Sequence, residues 1–344
     1  MTDRSTKSRI ALVLQGGGAH GSYGWGVIER LLLEEIDIVA ASGASAGALN
    51  GAALVAGLAN GGVEGAMAGL ERLWNAVSRG SPLQAFDGHF WGGPLFEPML
   101  RRTLEMGKLF ERYVTPFAPH VRDMHALRRI VGTSIDLDAL TRPGAVPLHV
   151  SATRVTTGAA RLFTGADITL DAIMASACLP DLFAAVEIDG EEYWDGGFSA
   201  NPALEPLIFA GHGATDVLIV QITPFANEDI SSSLAGIVGR VNEISFDACL
   251  LRDLKALTEI KKIAGEAASS SPRMQALAAT ELHLMDAPSE LASRGAAGKL
   301  DTRGSQLQAQ RMLGRERADT WLTDHRHALG RTSTLTKLPE TMAA

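Results

Sequence analysis

The sequence predicts an α/β fold with a mainly parallel central sheet flanked by helices, followed by a helical C-terminal extension. Two observations carry this expectation. Residues 9–14 (Arg-Ile-Ala-Leu-Val-Leu) form a short and nearly unbroken apolar run, the pattern of a strand buried on both faces. A second run, Ile38–Ser42, follows across a helical stretch, and a glycine-rich turn leads from each run into a helix. Strand, loop, helix, strand, turn and helix in that order require parallel strands joined by crossovers.

The elements follow in order. The first strand enters Gln15-Gly16-Gly17-Gly18-Ala19-His20-Gly21, then a helix to about Glu35 with Trp25, Ile28, Leu32 and Leu33 on its apolar stripe. The second strand runs into Gly43-Ala44-Ser45-Ala46-Gly47 and an alanine-rich helix to about Ala59. No charged residue lies between Asp37 and Glu64, a stretch about as long as the roughly 20 residues of a membrane span. Its glycines, Ser42, Ser45 and Asn50 instead predict a buried strand, a tight turn and a buried helix. Further strands are expected at Val146–Val155, Glu191–Trp194 and Asp216–Ile222, and helices at 64–78, 169–177 and 203–211. Leu234, Ile237, Val241, Ile244, Ala248 and Leu251 recur at helical spacing and predict one long helix over 233–264, with this stripe packed in the core or, as the alternative, in a partner-binding coiled coil. A strand at Thr280–Met285 and an amphipathic helix from about Ser305 to Leu329 complete the chain. The expected organisation is a catalytic unit over 9–225 and a mainly helical extension over 226–344 packed on it, with residues 265–344 covering the sheet's edge.

Composition narrows the function. With 46% hydrophobic and 20% charged residues among 344, the chain belongs with folded globular proteins. A net charge of −8 argues against a nucleic-acid partner, which selects a basic face. It also leaves any membrane contact local, transient and apolar. Two cysteines, Cys178 and Cys249, make neither a disulfide framework nor a zinc pattern and fit a reducing cytoplasm. The polar segment Met1–Arg9 and the short apolar run after it do not make a signal peptide. The expected location is cytoplasmic, peripheral to a membrane. No EF-hand or dense acidic loop points to calcium, and neither a metal nor a cofactor is expected.

Two glycine motifs hold the candidate chemistry. Gly16 to Gly21 satisfies G-x-G-x-x-G between a strand and a helix, a geometry that suits any anion, whether a pyrophosphate or a developing oxyanion. A dinucleotide site wants an acid at the end of the second strand. That place holds Gly43-Ala44-Ser45-Ala46-Gly47, a G-x-S-x-G elbow that presents a serine hydroxyl beside a helix N-terminus. A nucleophilic serine needs a base. His212, His283, His325 and His327 sit in helices or strands without turn chemistry and read as surface or core residues. Asp195, ahead of Gly196 and Gly197 at a strand end, is a carboxylate at the sheet's C-terminal edge, or a simple Asp-Gly turn.

Taken together, the Gly16–Gly21 loop, the Gly43–Gly47 elbow, Ala175-Ser176-Ala177-Cys178-Leu179-Pro180 and Asp195-Gly196-Gly197 resemble the patatin-like phospholipase family, over about residues 9–225. The resemblance implies a three-layer fold and a Ser–Asp dyad, with Ser45 as nucleophile and Asp195 as proton acceptor. It further implies an oxyanion hole from the N–H groups of Gly16, Gly17 and Gly18, with His20, Gly21, Gly43, Gly47, Gly196 and Gly197 as supporting residues. His20 stands where family members often carry arginine or lysine, which replaces a fixed charge by a titratable group. The aromatic-rich segment Phe86–Phe117, with Gly92-Gly93-Pro94, suits either a cap over acyl chains or a plain core-packed insertion at about 80–120.

The expected activity is hydrolysis of lipid carboxylic esters through an acyl-enzyme. Two readings compete with it: a soluble carboxylesterase or thioesterase using the same dyad, and a phosphate- or nucleotide-binding module using the Gly16–Gly21 loop. A non-catalytic scaffold built on the 233–264 helix is disfavoured by Ser45 and Asp195 themselves.

Overall fold

The computed structural model describes residues 8–80, 124–180, 182–212, 215–225, 234–266, 271–292 and 298–335. Within them, strand β1 (Arg9–Leu14) lies at the centre of a mixed eight-stranded sheet. Every residue from Ile10 to Leu14 is buried, as the unbroken apolar run requires. Alternation along the strand separates two cores. Ile10, Leu12 and Leu14 join the larger one with helices α1 (Gly21–Leu33) and α2 (Ala46–Arg79). Ala11 and Val13 face a smaller one with Leu207 of α5 (Glu205–Phe209) and Leu250 and Leu254 of α6 (Leu234–Glu266). The result is three layers, helix on sheet on helix.

β2 (Asp37–Gly43) and β7 (Asp216–Val220) flank β1, both parallel to it. Beyond them lie β3 (Leu148–Arg154) on one side and β8 (Glu281–Met285) on the other, also parallel. β4 (Ala160–Thr164), β5 (Val186–Ile188) and β6 (Glu191–Asp195) add antiparallel pairs. β4 and β5 escape a sequence reading because the first is largely exposed and the second spans three residues. Helices α3 (His125–Ser134) and α4 (Leu170–Ser176) pack on the larger core. α7 (Pro272–Ala279) packs against α6, and α8 (Ser289–Ala292) follows β8.

The charge-free stretch after Asp37 becomes β2, the elbow and the first half of α2. The two helices expected there, to about Ala59 and over 64–78, follow one another within α2, separated by non-helical backbone at Gly61 and Gly62, where Gly62 has φ 59°. Among the described residues α2 alone is long and apolar enough to cross a membrane by length and composition. Its residues 46–56 are instead enclosed in the core.

The C-terminal part does more than cover the sheet's edge. It supplies the edge strand β8, and helix α9 (Gly304–His325) lies on α1 at backbone contact. A Cβ on Gly26 would stand 1.9 Å from the Arg311 carbonyl oxygen, and one on Gly314 2.1 Å from that of Tyr23. At this seam the buried carboxylate of Glu29 accepts from Arg311 Nη2 (2.6 Å), Arg315 Nη1 (3.3 Å) and Trp25 Nε1 (2.9 Å).

Candidate active site

The elbow between β2 and α2 is built by close approach. Ser45 is the N-cap of α2, with φ 53° and ψ −124°, a left-handed conformation that a side chain rarely adopts. A Cβ on Gly43 would lie 2.5 Å from the Gly47 carbonyl carbon, and one on Gly47 2.0 Å from the Leu14 carbonyl oxygen. The glycines of G-x-S-x-G therefore let the turn fold back on itself and against β1. The Ser45 N–H donates to Ser176 Oγ at 3.0 Å, which fixes the backbone of the elbow.

Asp195 reaches the same place from another strand. Along β3, Val150 pairs with Gly43 of β2 on one edge and Phe163 of β4 on the other. Two residues on, Ala152 pairs with Asp195 of β6 and Arg161 of β4. Since β4 occupies one edge at both positions, β2 and β6 must share the opposite edge. β2 runs parallel to β3 and β6 antiparallel, so their C-terminal ends point at each other across a gap of about 7 Å. Ser45 lies just past the end of β2, and Asp195 is the last residue of β6.

The end of α4 also binds both residues. Ser176 holds the Ser45 N–H, and two residues later the Cys178 carbonyl accepts from the Asp195 N–H at 2.8 Å. Asp195 is fully buried, and its Oδ1 accepts from the Gly197 N–H at 2.8 Å. Gly196 sits where a Cβ would meet the Ser151 carbonyl oxygen at 2.1 Å, and a Cβ on Gly197 would meet Phe246 at 2.9 Å. Both glycines let the turn after Asp195 press against its neighbours. The Cys178 thiol donates to the Ala184 carbonyl at 3.0 Å; burial, reinforced by the charge of Asp195, pushes it up to about 12.

The glycine loop lies against the elbow. A Cβ on Gly16 would stand 2.8 Å from Ser45 Cβ. The Gly16 N–H donates to Asn201 Oδ1 (2.8 Å) and the Ala19 N–H to the Lys299 carbonyl (2.8 Å). Among the described residues, the N–H groups of Gly17 and Gly18 between them meet no acceptor. Gly18 has φ 61°, and its Cβ direction is filled by the Lys299 carbonyl oxygen at 2.3 Å, so only glycine fits. His20 is buried as the residue before α1, and Gly21 gives close contact to Ala46.

Three positioning residues were not singled out in the sequence. Gln15 closes β1: its Oε1 accepts from Ile222 N–H (2.7 Å) and Thr223 N–H (2.9 Å), and its Nε2 donates to Asp247 Oδ1 (3.0 Å). A polar residue between an apolar strand and three glycines is the signal that marks it. Asn201 follows the Asp-Gly-Gly turn and also donates from Nδ2 to the Phe246 carbonyl at 3.3 Å. Asp247, on the buried face of α6, has no local signal apart from being an acid in an apolar stripe. Burial pushes its carboxyl up to about 7 against the opposing pull of Lys299. Lys299 itself is lowered by burial while Glu243 supports its charge from 3.5 Å.

The histidines weighed as bases are engaged elsewhere. His212 Nε2 lies 3.1 Å from His149 Nε2. His283 is held by Asp216 (2.9 Å) and Thr334 (3.1 Å) at the opposite end of the parallel strands. His325 lies edge-on to Trp321, and His327 is exposed in the turn after α9. The aromatic segment Phe86–Phe117 lies outside the described residues. Among those residues no cluster of three or more His, Cys, Asp or Glu side chains could hold a metal ion.

The strand-to-helix turn at Ser45, the glycine loop beside it and the Asp-Gly-Gly turn on one sheet edge sit in a three-layer α/β fold of the lipid ester hydrolase class. The chain belongs to the patatin-like phospholipase family, whose profile matches residues 12–208. Among solved structures it is similar to VipD from Legionella pneumophila, at 15% identity and a TM-score of 0.36 over 92% of this chain and 67% of that one. It is also similar to the type III effector protein ExoU, at 16% identity and a TM-score of 0.28 over 98% of this chain and 77% of that one. The heterodimeric ExoU–SpcU complex from the type III secretion system of Pseudomonas aeruginosa gives 17% identity and a TM-score of 0.27 over 98% and 65%. No curated protein matches the sequence significantly.

Proposed function

We propose that this protein is a lipid acyl hydrolase in which Ser45 and Asp195 form the catalytic dyad. The observation that supports the reading is the head-on meeting of β2 and β6 along one edge of β3, with Ser45 just past the end of one strand and Asp195 at the end of the other. The Ser45 hydroxyl attacks the ester carbonyl carbon, and Asp195 takes its proton. The N–H groups of Gly17 and Gly18, with the N-terminus of α2, stabilise the oxyanion. Gly16 supports this loop from outside the hole, since its N–H is given to Asn201. The tetrahedral adduct collapses, the leaving alcohol takes the proton from Asp195, and the acyl group stays on Ser45 Oγ. Water, deprotonated by Asp195, then attacks the acyl carbon, and Ser45 Oγ leaves with that proton as the fatty acid is released.

Membership of a phospholipase family supports a lipid ester over a small soluble ester. The end of β2 presents Ser42 and Gly43 where a dinucleotide site needs a carboxylate for ribose, which disfavours the nucleotide reading. The test is labelling with a fluorophosphonate probe together with hydrolysis of p-nitrophenyl esters and phosphatidylcholine. Wild type labels and turns over both substrates, Ser45→Ala does neither, and Asp195→Asn falls by about 1,000-fold or more in kcat. Labelling of Ser45→Ala at the wild-type level would remove the nucleophile assignment.

A further inference from the structure

Helix α6 has two unlike faces. Toward the protein it buries Glu243, Phe246, Asp247, Leu250 and Leu254. Phe246 meets Phe198 edge to face, with ring centroids 4.7 Å apart, and abuts Gly197, so this face holds the turn that carries Asp195. On the outer face, at spacings of three and four, stand Ile237 (47% exposed), Val241 (55%), Ile244 (53%), Ala248 and the half-buried Leu251. No charged residue lies on this outer line for about 20 Å of helix. The first charges to follow on it are the exposed Arg252, which lies 3.7 Å from the Asp253 carboxylate, and the exposed Lys255.

A row of exposed branched side chains marks a contact surface, because single exposed residues are ordinary and contiguous ones are not. With its other face already buried in the protein, the helix can meet a lipid interface only along this outer stripe. Cations directly beyond the apolar row complement anionic head groups. The chain as a whole, at −8, is repelled by such a surface, so the contact must be confined to this strip. We propose that α6 docks on an anionic phospholipid bilayer, with Ile237, Val241 and Ile244 inserted among the lipids and Arg252 and Lys255 on the phosphates. The bilayer then lies about one helix diameter, some 10 Å, from the Asp195 turn. This last step rests on the lipid hydrolase reading; the docking itself does not.

The experiment is co-sedimentation of the full-length Ser45→Ala protein with vesicles of phosphatidylglycerol and phosphatidylcholine, and with phosphatidylcholine alone. The expected result is binding to the anionic vesicles, weakened at least tenfold by Ile237→Gln/Val241→Gln/Ile244→Gln. Arg252→Gln/Lys255→Gln weakens binding to anionic vesicles and reduces its dependence on salt. In the Ser45 background the triple variant hydrolyses a soluble p-nitrophenyl ester within twofold of wild type, which shows an intact fold. Absence of vesicle binding, or equal binding by the triple variant, overturns the proposal. Light scattering that shows a dimer dissolved by the triple substitution, without vesicle binding, assigns the face to a second copy instead. If Ser45→Ala binds vesicles while wild type cleaves no ester, the docking surface stands and the hydrolase reading falls.

Discussion

The Gly16 N–H donates to Asn201 Oδ1 at 2.8 Å, and this bond ties the first amide of the glycine loop to the segment that follows Asp195. The loop extends β1, whereas Asn201 comes from the far side of β6, so one side chain sets the distance between the glycine loop and the Asp195 turn. Asn201 is fully buried, and its Nδ2 is anchored on the Phe246 carbonyl. Asn201→Ala leaves a buried N–H without its acceptor, a loss of about 1–3 kcal/mol. The expected outcome is a lower urea midpoint and a fall in kcat of about tenfold or more, short of the 100-fold or larger loss of a deleted oxyanion donor. KM for a short ester stays within twofold. An unchanged kcat at lowered stability would restrict Asn201 to a structural role.

Gly47 gives a sharper case. A Cβ there meets the Leu14 carbonyl oxygen at 2.0 Å, and neither backbone can yield without moving β1 or the elbow. Gly47→Ala is expected to destabilise by about 1–3 kcal/mol as an overpacked core does. It also shifts Ser45, so fluorophosphonate labelling slows even in protein that circular dichroism shows to be folded. Labelling at the wild-type rate by folded Gly47→Ala contradicts this account of the elbow.

The contrast between these residues explains what the sequence discloses. β1, the elbow and the Asp-Gly-Gly turn are legible because local chemistry specifies each: an apolar run, a glycine pair around a serine, a carboxylate at a turn. Asn201 and Gln15 act across 185 and 207 or more residues of chain, through partners that only the sheet order brings together. The meeting of β2 and β6 is likewise invisible, because it depends on β4 occupying the other edge of β3, and β4 lacks a buried alternating pattern. The role of α9 is hidden for a similar reason: its inward face uses Gly314 and Ala318 for close approach, so its apolar stripe is weak.

The α1–α9 seam yields a stability prediction. Glu29 is 1% exposed and accepts from Arg311, Arg315 and Trp25, with the Arg311 guanidinium 4.0 Å above the Trp25 ring. Removing the carboxylate strands partly buried guanidinium groups beside an indole N–H without an acceptor. Glu29→Ala should cost about 3–5 kcal/mol, the range for breaking one side of a buried pair. Thermal unfolding followed by circular dichroism checks it. A drop in Tm of under about 1 °C, corresponding to less than about 0.7 kcal/mol for a chain of 344 residues, contradicts the account.

The pH dependence of stability is set in part by Asp247. Its folded carboxyl is raised to about 7, chiefly by burial, whereas an unfolded aspartate loses its proton near 4. Lys299, Glu243 and Arg240 are the charged groups that face it; the two cations pull the value down and Glu243 pushes it up. Between about pH 4 and pH 7 the native state therefore binds more protons than the unfolded state through this group. Its contribution to stability is fully present below about 4, falls as pH rises through that window, and is lost above the folded value. Asp247→Asn keeps an oxygen for the Gln15 Nε2 and removes the titration. The difference in urea midpoint between Asp247→Asn and wild type should accordingly grow in favour of the variant from about pH 4.5 to pH 7.5. A difference that stays constant across this range would show that Asp247 ionises in the folded protein as it does in the unfolded chain. A growing difference makes the link between α6 and the glycine loop a neutral hydrogen bond at mildly acid pH and a charged one above neutrality.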